Sequence, residues 1–288
     1  FTIKGIRINQ DVEGETTDAA LPVSLFIYTE DATIKNLSLE DIQISYSYNI
    51  LLNSNIAGGM LVYDATNTVI ENCHVNGDIN VEATGKSSGA FIGGIGGFVR
   101  NSTIDNCSTD GSINITFDYQ GDINENESFS TAGGITTEAI GETTIKNTTS
   151  NIAITNNVKG TSNINLVVRT GGITTWADNI QLLNSNNTGA LSATGETANH
   201  VQVGGLISCL LNGYLANVWN ASTITSIGGV EGQNIGGIVA YMENCNTTFC
   251  AFDSELSGIE EATELKPGNG FDTDFMQSQD FVDLLNSE

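Results

Sequence analysis

The sequence predicts an all-β fold: a right-handed parallel β-helix (solenoid) of about seven coils with a short helical C-terminal cap. Glycine pairs recur every 32 to 38 residues, and each is followed by a segment with the pattern apolar-x-Asn-small. The segments between them alternate apolar and polar residues with period two, as in Ser112-Ile113-Asn114-Ile115. That alternation indicates β-strands, so the repeat is a β-solenoid and not a helical one.

The glycine pairs are expected to mark one stage of every coil. They are Gly58-Gly59, Gly96-Gly97, Gly133-Gly134, Gly171-Gly172, Gly204-Gly205 and Gly236-Gly237. Glycine has no Cβ and permits a tight turn, so a packing role is expected for each pair. A phosphate-binding loop at Gly93–Gly97 is disfavoured because neither a Lys-Ser/Thr pair nor a helix start follows it.

One asparagine per coil recurs two residues after an apolar residue. These residues are Asn36, Asn72, Asn106, Asn147, Asn184 and Asn217. A degenerate seventh copy is the segment Thr247-Thr248-Phe249-Cys250. Stacked coils bring equivalent residues to the ~4.8 Å strand spacing, so each amide can bond to the next in an inward-facing asparagine ladder. A propeller has a similar period but would place these residues on separate blades, where they would gain nothing from one another.

Residues beside the ladder also fit stacked coils. Lys35 would lie beside Glu71, and Asp105 beside Lys146. The five cysteines, Cys73, Cys107, Cys209, Cys245 and Cys250, show no CxxC pair and no metal-ligand spacing. We expect them to be free, buried thiols, with a Cys245–Cys250 disulfide as the less favoured alternative.

The two ends of the chain differ. Residues 1–258 form the expected repeat domain, with Phe1 to Ile8 opening the first coil and an exposed loop from Gln10 to Ala20. Residues 259–288 form the expected capping segment, with Thr273 and Ser278 as helix N-caps. Its apolar face, which we expect to cover the C-terminal end of the core, consists of Phe275, Met276, Phe281, Val282, Leu284 and Leu285.

Composition narrows the classes of partner. The chain has 34 acidic and 9 basic residues, a formal net charge of −25, which excludes nucleic acid and anionic membrane surfaces as expected partners. No run of ~20 apolar residues is present, so membrane insertion is not expected. No signal-peptide pattern opens the sequence, so we expect a mature chain or a part of a longer one.

The repeat resembles a known family. The run from Gly58-Gly59-Met60 through Ile70-Glu71-Asn72-Cys73 to Gly77-Asp78-Ile79 is similar to the GLUG-motif repeats of bacterial surface proteins. Such repeats occur in adhesin-like cell-wall proteins and beside the catalytic domains of secreted immunoglobulin A peptidases. The resemblance implies an extracellular, cell-surface location, a larger surface protein of which this chain is a part, and a glycan or protein on a host or cell surface as partner.

No catalytic constellation is recognisable, so we do not expect an enzyme. The only histidines, His74 and His200, are far apart in sequence, and no cofactor is indicated. Calcium binding by the acidic stretch from Asp253 to Glu264 is unsupported, since no Asp-x-Asp-x-Asp loop is present.

The leading hypothesis is a non-catalytic β-helical module for adhesion, ligand binding or spacing. The alternatives are a carbohydrate-active β-helix enzyme, either a polysaccharide lyase or a glycoside hydrolase, and an accessory repeat domain of a secreted peptidase. Candidate contacts to sugars are Trp176, Tyr214, Trp219 and Tyr241, together with the threonine pairs Thr136-Thr137 and Thr174-Thr175 on a broad outer face.

Overall fold

The computed structural model describes residues 1–14, 21–50, 55–85, 89–120, 128–160, 166–260 and 267–287. In these residues the chain forms an all-β solenoid of about six turns, built from parallel strands, with short helices at its C-terminal end. Six turns separate Asn36, in the first copy of the repeat, from Phe249, in the seventh, and both residues have a positive φ. The predicted fold class is therefore confirmed, and each of the seven repeat copies occupies one level of the rod.

The strands follow one another with short corners between them. The first fourteen are β1 (Thr2–Lys4), β2 (Arg7–Gly14), β3 (Leu21–Val23), β4 (Phe26–Glu30), β5 (Thr33–Lys35), β6 (Ser38–Ile50), β7 (Asn55–Gly59), β8 (Val62–Thr66), β9 (Val69–Glu71), β10 (His74–Gly85), β11 (Gly89–Gly93), β12 (Gly96–Arg100), β13 (Thr103–Asp105) and β14 (Ser108–Tyr119). The others are β15 (Ser128–Gly133), β16 (Thr136–Lys146), β17 (Thr149–Gly160), β18 (Leu166–Gly171), β19 (Thr174–Leu183), β20 (Asn186–Asn187), β21 (Leu191–Gly195), β22 (His200–Gly204), β23 (Ile207–Leu211), β24 (Tyr214–Asn220), β25 (Ile224–Gly228), β26 (Gly232–Gly236), β27 (Val239–Glu243), β28 (Asn246–Asp253) and β29 (Asn269–Phe271).

Two sheets form the walls of the solenoid. The smaller one has seven strands in the order β26-β22-β18-β15-β11-β7-β3, and the other 22 strands form one continuous sheet around the rest of the turn. In each turn the chain leaves the small sheet at a corner that contains glycine, here called the glycine corner. It then passes two further corners before it returns to the small sheet. Strand β2 extends to Gly14, so the loop predicted from Gln10 is wrong as far as Gly14, and residues 15–20 lie outside the described residues.

The core is a set of apolar columns along the axis. In the column two residues before the asparagines, Ile70, Ile104, Ile145, Leu182 and Leu215 are fully buried, and the first member, Ile34, is half-buried. The period-two alternation sends every second side chain of each strand inward. One apolar core therefore extends without interruption from Val23 to Phe252.

The strand register corrects the predicted phase of the glycines. One column contains Gly59, Gly93, Gly133, Gly171, Gly204 and Gly236. Gly96-Gly97 is not in that phase, because Gly96 pairs with Thr136 in the next sheet face. A Cβ on Gly134, one residue after this column, would overlap the carbonyl oxygen of Gly172 and the hydroxyl of Ser150. The close approach of stacked backbones therefore fixes the glycine phase.

The six predicted asparagines do form a ladder, but it faces solvent. All six have φ between 47° and 56°, and all are exposed except the half-buried Asn217. Side-chain amides donate to the side-chain oxygen of the preceding level: Asn72 to Asn36 at 3.3 Å, Asn106 to Asn72 at 2.6 Å, Asn184 to Asn147 at 3.2 Å and Asn217 to Asn184 at 3.0 Å. Asn147 instead donates to Asp105 at 2.8 Å, so the ladder is interrupted there. The predicted inward direction is wrong, because side chains at these left-handed corners point away from the core.

A second column of left-handed corners was not predicted. Its members have φ between 49° and 70° and are Asp31, Asn67, Asn101, Gly141, Asn179, Asn212 and Asn244. Each lies five residues before a ladder corner, except Gly141, which lies six before Asn147. The sequence therefore carried a usable signal: two residues tolerant of positive φ recur together in every turn except the last, where Phe249 follows Asn244.

The ladder gives a direct stability test. Asn106→Ala should lower the free energy of unfolding by about 1 to 2 kcal/mol, because it removes a hydrogen bond and because alanine tolerates positive φ less well than asparagine. Asn106→Gly should cost under about 1 kcal/mol, since glycine adopts this φ readily. Urea titration followed by circular dichroism measures both. Equal losses for the two variants would contradict a conformational contribution of the corner.

The pairs predicted beside the ladder are in register. Lys35 is the strand partner of Glu71, and Lys146 Nζ lies 3.2 Å from the carboxylate of Asp105. Both pairs are on the outer face, where an ion pair such as that of Lys146 with Asp105 contributes at most ~1 kcal/mol. They confirm the stacking order of the first four levels without adding much stability.

The C-terminal helices lie against the side of the rod. They are α1 (Ser254–Ser257), α2 (Thr273–Met276) and α3 (Gln279–Ser287). The apolar residues of α2 and α3, Met276 and Phe281 among them, pack on Trp219 and Ala251. These two residues alternate with inward-facing neighbours and so lie on the outer face. The prediction that the apolar face of these helices covers the open end of the core is therefore wrong in position.

The structure also tests the predicted helix N-caps and the predicted apolar face of the C-terminal segment. The N-cap of α2 is Asp272 and not Thr273, whereas Ser278 accepts a hydrogen bond from the Phe281 amide, as an N-cap should. Val282 is 44% exposed, so it does not belong to the apolar face. Phe252 is the residue that closes the core, lying against Gly268 and Gly270.

All five cysteines are free thiols, which rules out a Cys245–Cys250 disulfide in this structure. Burial raises the pKa of Cys209 to about 11 and that of Cys250 to about 12, so both are protonated at neutral pH. Cys245 is the exception to the predicted burial, since it is only half-buried.

Thiol labelling should distinguish Cys245 from the other four. We expect iodoacetamide to modify Cys245 slowly in the native protein and all five thiols after unfolding in urea, because thiolates must form and be reached before they react. Peptide mass spectrometry identifies the labelled positions, with Cys245→Ser as the control. Rapid native labelling of Cys209 or Cys250 would contradict the burial described above.

Candidate functional site

A groove follows the glycine corner where the small sheet meets the large one. On the large sheet its wall is one outward column, here called the groove column, whose residues pair from turn to turn: Tyr28, Asp64, Phe98, Glu138, Trp176, Cys209 and Tyr241. On the small sheet the facing column is Pro22, Ala57, Phe91, Thr131, Arg169, Gln202 and Asn234. The two columns flank the glycine corner. The space between them is open because the glycines of the corner carry no side chains to fill it.

Part of the groove is a cleft of about 330 Å³ at the third to fifth levels. Its walls are Phe91, Phe129, Arg169, Glu138 and Trp176, and its floor is formed by threonines. Clefts of this kind, mainly apolar with a few convergent polar groups, are the usual form of ligand sites in proteins.

Aromatic rings line the groove in a continuous series of ring–ring contacts. Tyr28 lies 5.5 Å from Tyr63, and Tyr63 lies 5.6 Å from Phe98, with both distances between ring centroids and both pairs T-shaped. Phe91 continues the series at 5.7 Å from Phe98 and 6.4 Å from Phe129. These contacts hold the rings in fixed orientations, so their free faces are preorganised surfaces for a flat ligand.

Arg169 joins the two walls of the cleft. Its guanidinium carbon lies 4.9 Å from the centre of the Phe129 ring and 4.8 Å from that of Trp176. Its Nε donates to the Gln202 side chain at 2.8 Å. The guanidinium is thereby fixed in the groove between two aromatic rings, an arrangement that favours its charge by cation–π attraction.

A charged cluster adjoins the aromatic wall. Arg100 Nη1 lies 2.6 Å from the carboxylate of Asp64, and Arg100 Nη2 lies 3.6 Å from Glu138. The guanidinium carbon of Arg100 also lies 5.2 Å from the centre of the Phe98 ring. Burial raises the pKa of Glu138 above its ordinary value; Arg100 opposes that shift and Asp64 adds to it. Glu138 is thus a carboxyl that holds its proton to a higher pH than usual, inside a cleft.

The four aromatic residues predicted from the sequence are not together. Trp176 and Tyr241 both belong to the groove column. Tyr214 lies elsewhere, in a polar cleft of about 580 Å³ with Asn179, Gln181 and Asn212 among its walls, and its hydroxyl donates to Thr248 at 3.3 Å. Trp219 packs 6.1 Å from Phe281 under the helices, so it is a structural contact and not a surface platform.

The threonine pairs are in register as predicted, but they are not on an outer face. Thr136 pairs with Thr174, and all four threonines are at most 1% exposed. Thr137 and Thr175 donate their hydroxyls to backbone carbonyls of the preceding level at 2.6 Å. A surface array of threonine hydroxyls is therefore excluded, and the pairs serve as satisfied polar groups under the groove.

Several groove residues were missed by the sequence argument. Phe91, Phe98 and Phe129 occupy outward positions of strands whose alternation marks them as half-buried, and nothing local distinguishes a groove ring from a core ring. The signal that was present is periodic. Phe98, Trp176 and Tyr241 each lie five residues after a glycine of the column, which is Gly93, Gly171 or Gly236.

Within the described ranges, no group of three or more His, Cys, Asp or Glu side chains is arranged to hold a metal ion. The acidic stretch considered for calcium lies partly outside those ranges, at residues 261–266. The two histidines have separate neighbours: His74 Nδ1 lies 2.7 Å from the Ser108 hydroxyl, and His200 Nε2 lies 3.4 Å from Glu231. They do not form a joint site.

None of the helices in the described part of the chain has the length and apolar character needed to span a membrane. Comparison with protein-family models finds no match, and comparison with curated proteins finds none either.

Proposed function

We propose that this protein is a non-catalytic β-helical binding module of a bacterial surface or secreted protein, and that its groove binds carbohydrate. The observation that carries the proposal is the cleft in which Arg169 is fixed between Phe129 and Trp176. Rings with fixed orientation offer apolar faces to sugar C–H groups, while the carboxyl group of Glu138 offers a hydrogen-bond partner to hydroxyls.

The extracellular location rests on the sequence. The repeat resembles those of surface proteins, and the formal net charge of −25 keeps a rod of this kind soluble and away from anionic surfaces. A rod of stacked coils is also a rigid spacer, since each level contacts only its neighbours. Adhesion through the groove and spacing by the rod are compatible roles for one module.

A glycan array with the purified protein tests the proposal. We expect binding to a defined set of glycans, and a loss of about tenfold or more in affinity for Trp176→Ala. Trp176→Phe should retain most of the affinity because it keeps a ring at the groove. Tyr214→Ala is the matched control, since it removes an exposed aromatic residue outside the groove. An array without any bound glycan would contradict the proposal.

A second candidate function, glycoside cleavage, is favoured by one observation. Glu138 is a carboxyl of raised pKa, and it shares Arg100 with a second carboxylate, Asp64, at the groove wall. Glycosidases use a carboxyl that holds its proton and a second carboxylate across the bond that is cleaved. A reducing-end release assay on the glycans bound in the array decides between the two. Release that is lost in Glu138→Gln would replace the binding module by an enzyme, and binding without release would exclude cleavage of those glycans.

Glu138→Gln should also change the stability of the protein by an amount that depends on pH. A carboxyl whose pKa is raised in the folded state contributes stability below its unfolded pKa and loses that contribution as the pH rises through the folded value. Glu138→Gln should therefore raise the melting temperature at about pH 7 and change it little at about pH 3.5, where the carboxyl is protonated in both states. Thermal denaturation at the two pH values measures this. A lower melting temperature at neutral pH would show that the ion pair with Arg100 outweighs burial.

A further inference from the structure

The groove column alternates in chemistry from level to level. Aromatic side chains stand at its first, third, fifth and seventh positions: Tyr28, Phe98, Trp176 and Tyr241. Between them stand Asp64, Glu138 and Cys209, which are two carboxylates and a small side chain that is only 5% exposed. Because the strands are parallel and in register here, equivalent side chains are separated by whole numbers of turns.

The alternation determines the repeat distance that a matching ligand must have. Aromatic residues two levels apart are separated by about 9.6 Å along the rod, twice the spacing of neighbouring strands. A ligand that contacts successive rings in the same way must repeat over that distance. An extended peptide strand repeats over about 6.7 Å, which does not match. A β-1,4-linked glycan in its flat two-fold form does match, because each ring advances by roughly one strand spacing and every second ring presents the same face.

A polyproline II peptide has a similar repeat, about 9.3 Å for three residues. The residues between the aromatic levels favour the glycan. Asp64 and Glu138 present carboxyl oxygens, which accept hydrogen bonds whether or not the group is ionised. Sugar hydroxyls supply donors at every ring, whereas proline has no N–H to offer.

The negative charge of the protein restricts the class of glycan that the groove can bind. Both carboxylates lie on the groove wall, and the whole chain has a formal net charge of −25. Uronate or sulfate groups along a ligand would be repelled over its full length. The two guanidinium groups of the groove are already engaged, Arg100 by Asp64 and Arg169 by Gln202 and the flanking rings. The groove is thus suited to an uncharged chain.

The geometry points to a neutral β-1,4-linked glycan, lying along the rod axis with every second sugar ring on an aromatic residue of the groove column. This inference rests on the proposed carbohydrate-binding function and specifies its ligand class. The two central contacts are Trp176, which borders the cleft at the fifth level, and Phe98 at the third level, whose ring contacts the cleft residue Phe91.

Isothermal titration with cellobiose, cellotetraose and cellohexaose tests the register. Affinity should rise by about tenfold with each added pair of rings, as one more aromatic residue is reached. Phe98→Ala and Trp176→Ala should each lower the affinity for cellohexaose by about tenfold, with Tyr214→Ala as the unaffected control. Trp176→Phe should retain binding, which separates the loss of a platform from a change in fold.

Three further ligands define the outcomes that would overturn the inference. Laminarihexaose has β-1,3 linkages and coils, polygalacturonate is anionic, and decaproline forms a polyproline II helix. Binding of laminarihexaose or polygalacturonate as tight as that of cellohexaose, or affinity independent of length, overturns the two-ring register while the carbohydrate-binding function stands. Binding of decaproline that is lost in Trp176→Ala, with no bound glycan, overturns both in favour of a peptide ligand.

Discussion

Gly134→Ala is expected to lower the stability of the rod by more than about 4 kcal/mol, or to prevent folding altogether. A Cβ at this position would overlap the carbonyl oxygen of Gly172 in the next turn and the hydroxyl of Ser150. Both obstacles belong to stacked, buried segments, since Ser150 is fully buried and the Gly172 amide bonds to Gly204 in turn. Neither can move without separating adjacent levels. The yield of soluble protein and urea unfolding monitored by circular dichroism measure the loss.

Gly96→Thr is the matched control for this prediction. Gly96 belongs to the predicted glycine pairs but occupies the column of Val62, Thr136, Thr174, Ile207 and Val239, where each of these other levels has a β-branched residue. A Cβ on Gly96 would have side-chain methyl groups as its nearest neighbours, that of Val62 at 3.1 Å and that of Val99 at 3.4 Å. A change within about 1.5 kcal/mol is expected. Comparable losses for Gly134→Ala and Gly96→Thr would contradict the corrected phase of the glycines.

Phe252→Ala should cost about 3 to 5 kcal/mol, the range for a fully buried phenylalanine. Phe252 is 1% exposed and lies at the end of the core, where its ring packs against Gly237, Gly268 and Gly270. Beyond Phe252 the sheet continues in the described residues with β29, whose Gly270 pairs with Phe252 and has no side chain to fill the space that the ring would leave. The free energy of unfolding from urea titration measures the effect.

Two controls define the meaning of that loss. Phe1→Ala removes a phenylalanine that is 98% exposed and should change stability by less than about 0.5 kcal/mol. Phe281→Ala removes a buried ring of the helical cluster on the outer face, so it should loosen the helices without opening the core. If Phe252→Ala were no more harmful than Phe281→Ala, the helices and not Phe252 would be closing the core.

The candidate site was less accessible to sequence reasoning than the fold. Trp176 and Tyr241 were among the expected sugar contacts because they are aromatic, but so were Trp219, which packs under the helices, and Tyr214, which faces another cleft. Phe98 and Arg169 were not among them. Whether an aromatic residue lines a groove depends on what stands across the corner from it, and those neighbours come from different strands of the turn.

Short periodic patterns in the sequence are sufficient to predict the parallel solenoid, its levels and its ladder. Period two sets which side chains enter the core, and one asparagine per turn is enough to align Asn72 with Asn106. The tertiary structure was needed to establish that the ladder faces solvent, that Gly93 and not Gly96 belongs to the glycine column, and that the helices pack on the outer face. Each of these depends on the angle of a corner or on the distance between stacked backbones. Such distances are fixed by the close packing of many residues together, so no single segment of the sequence carries them.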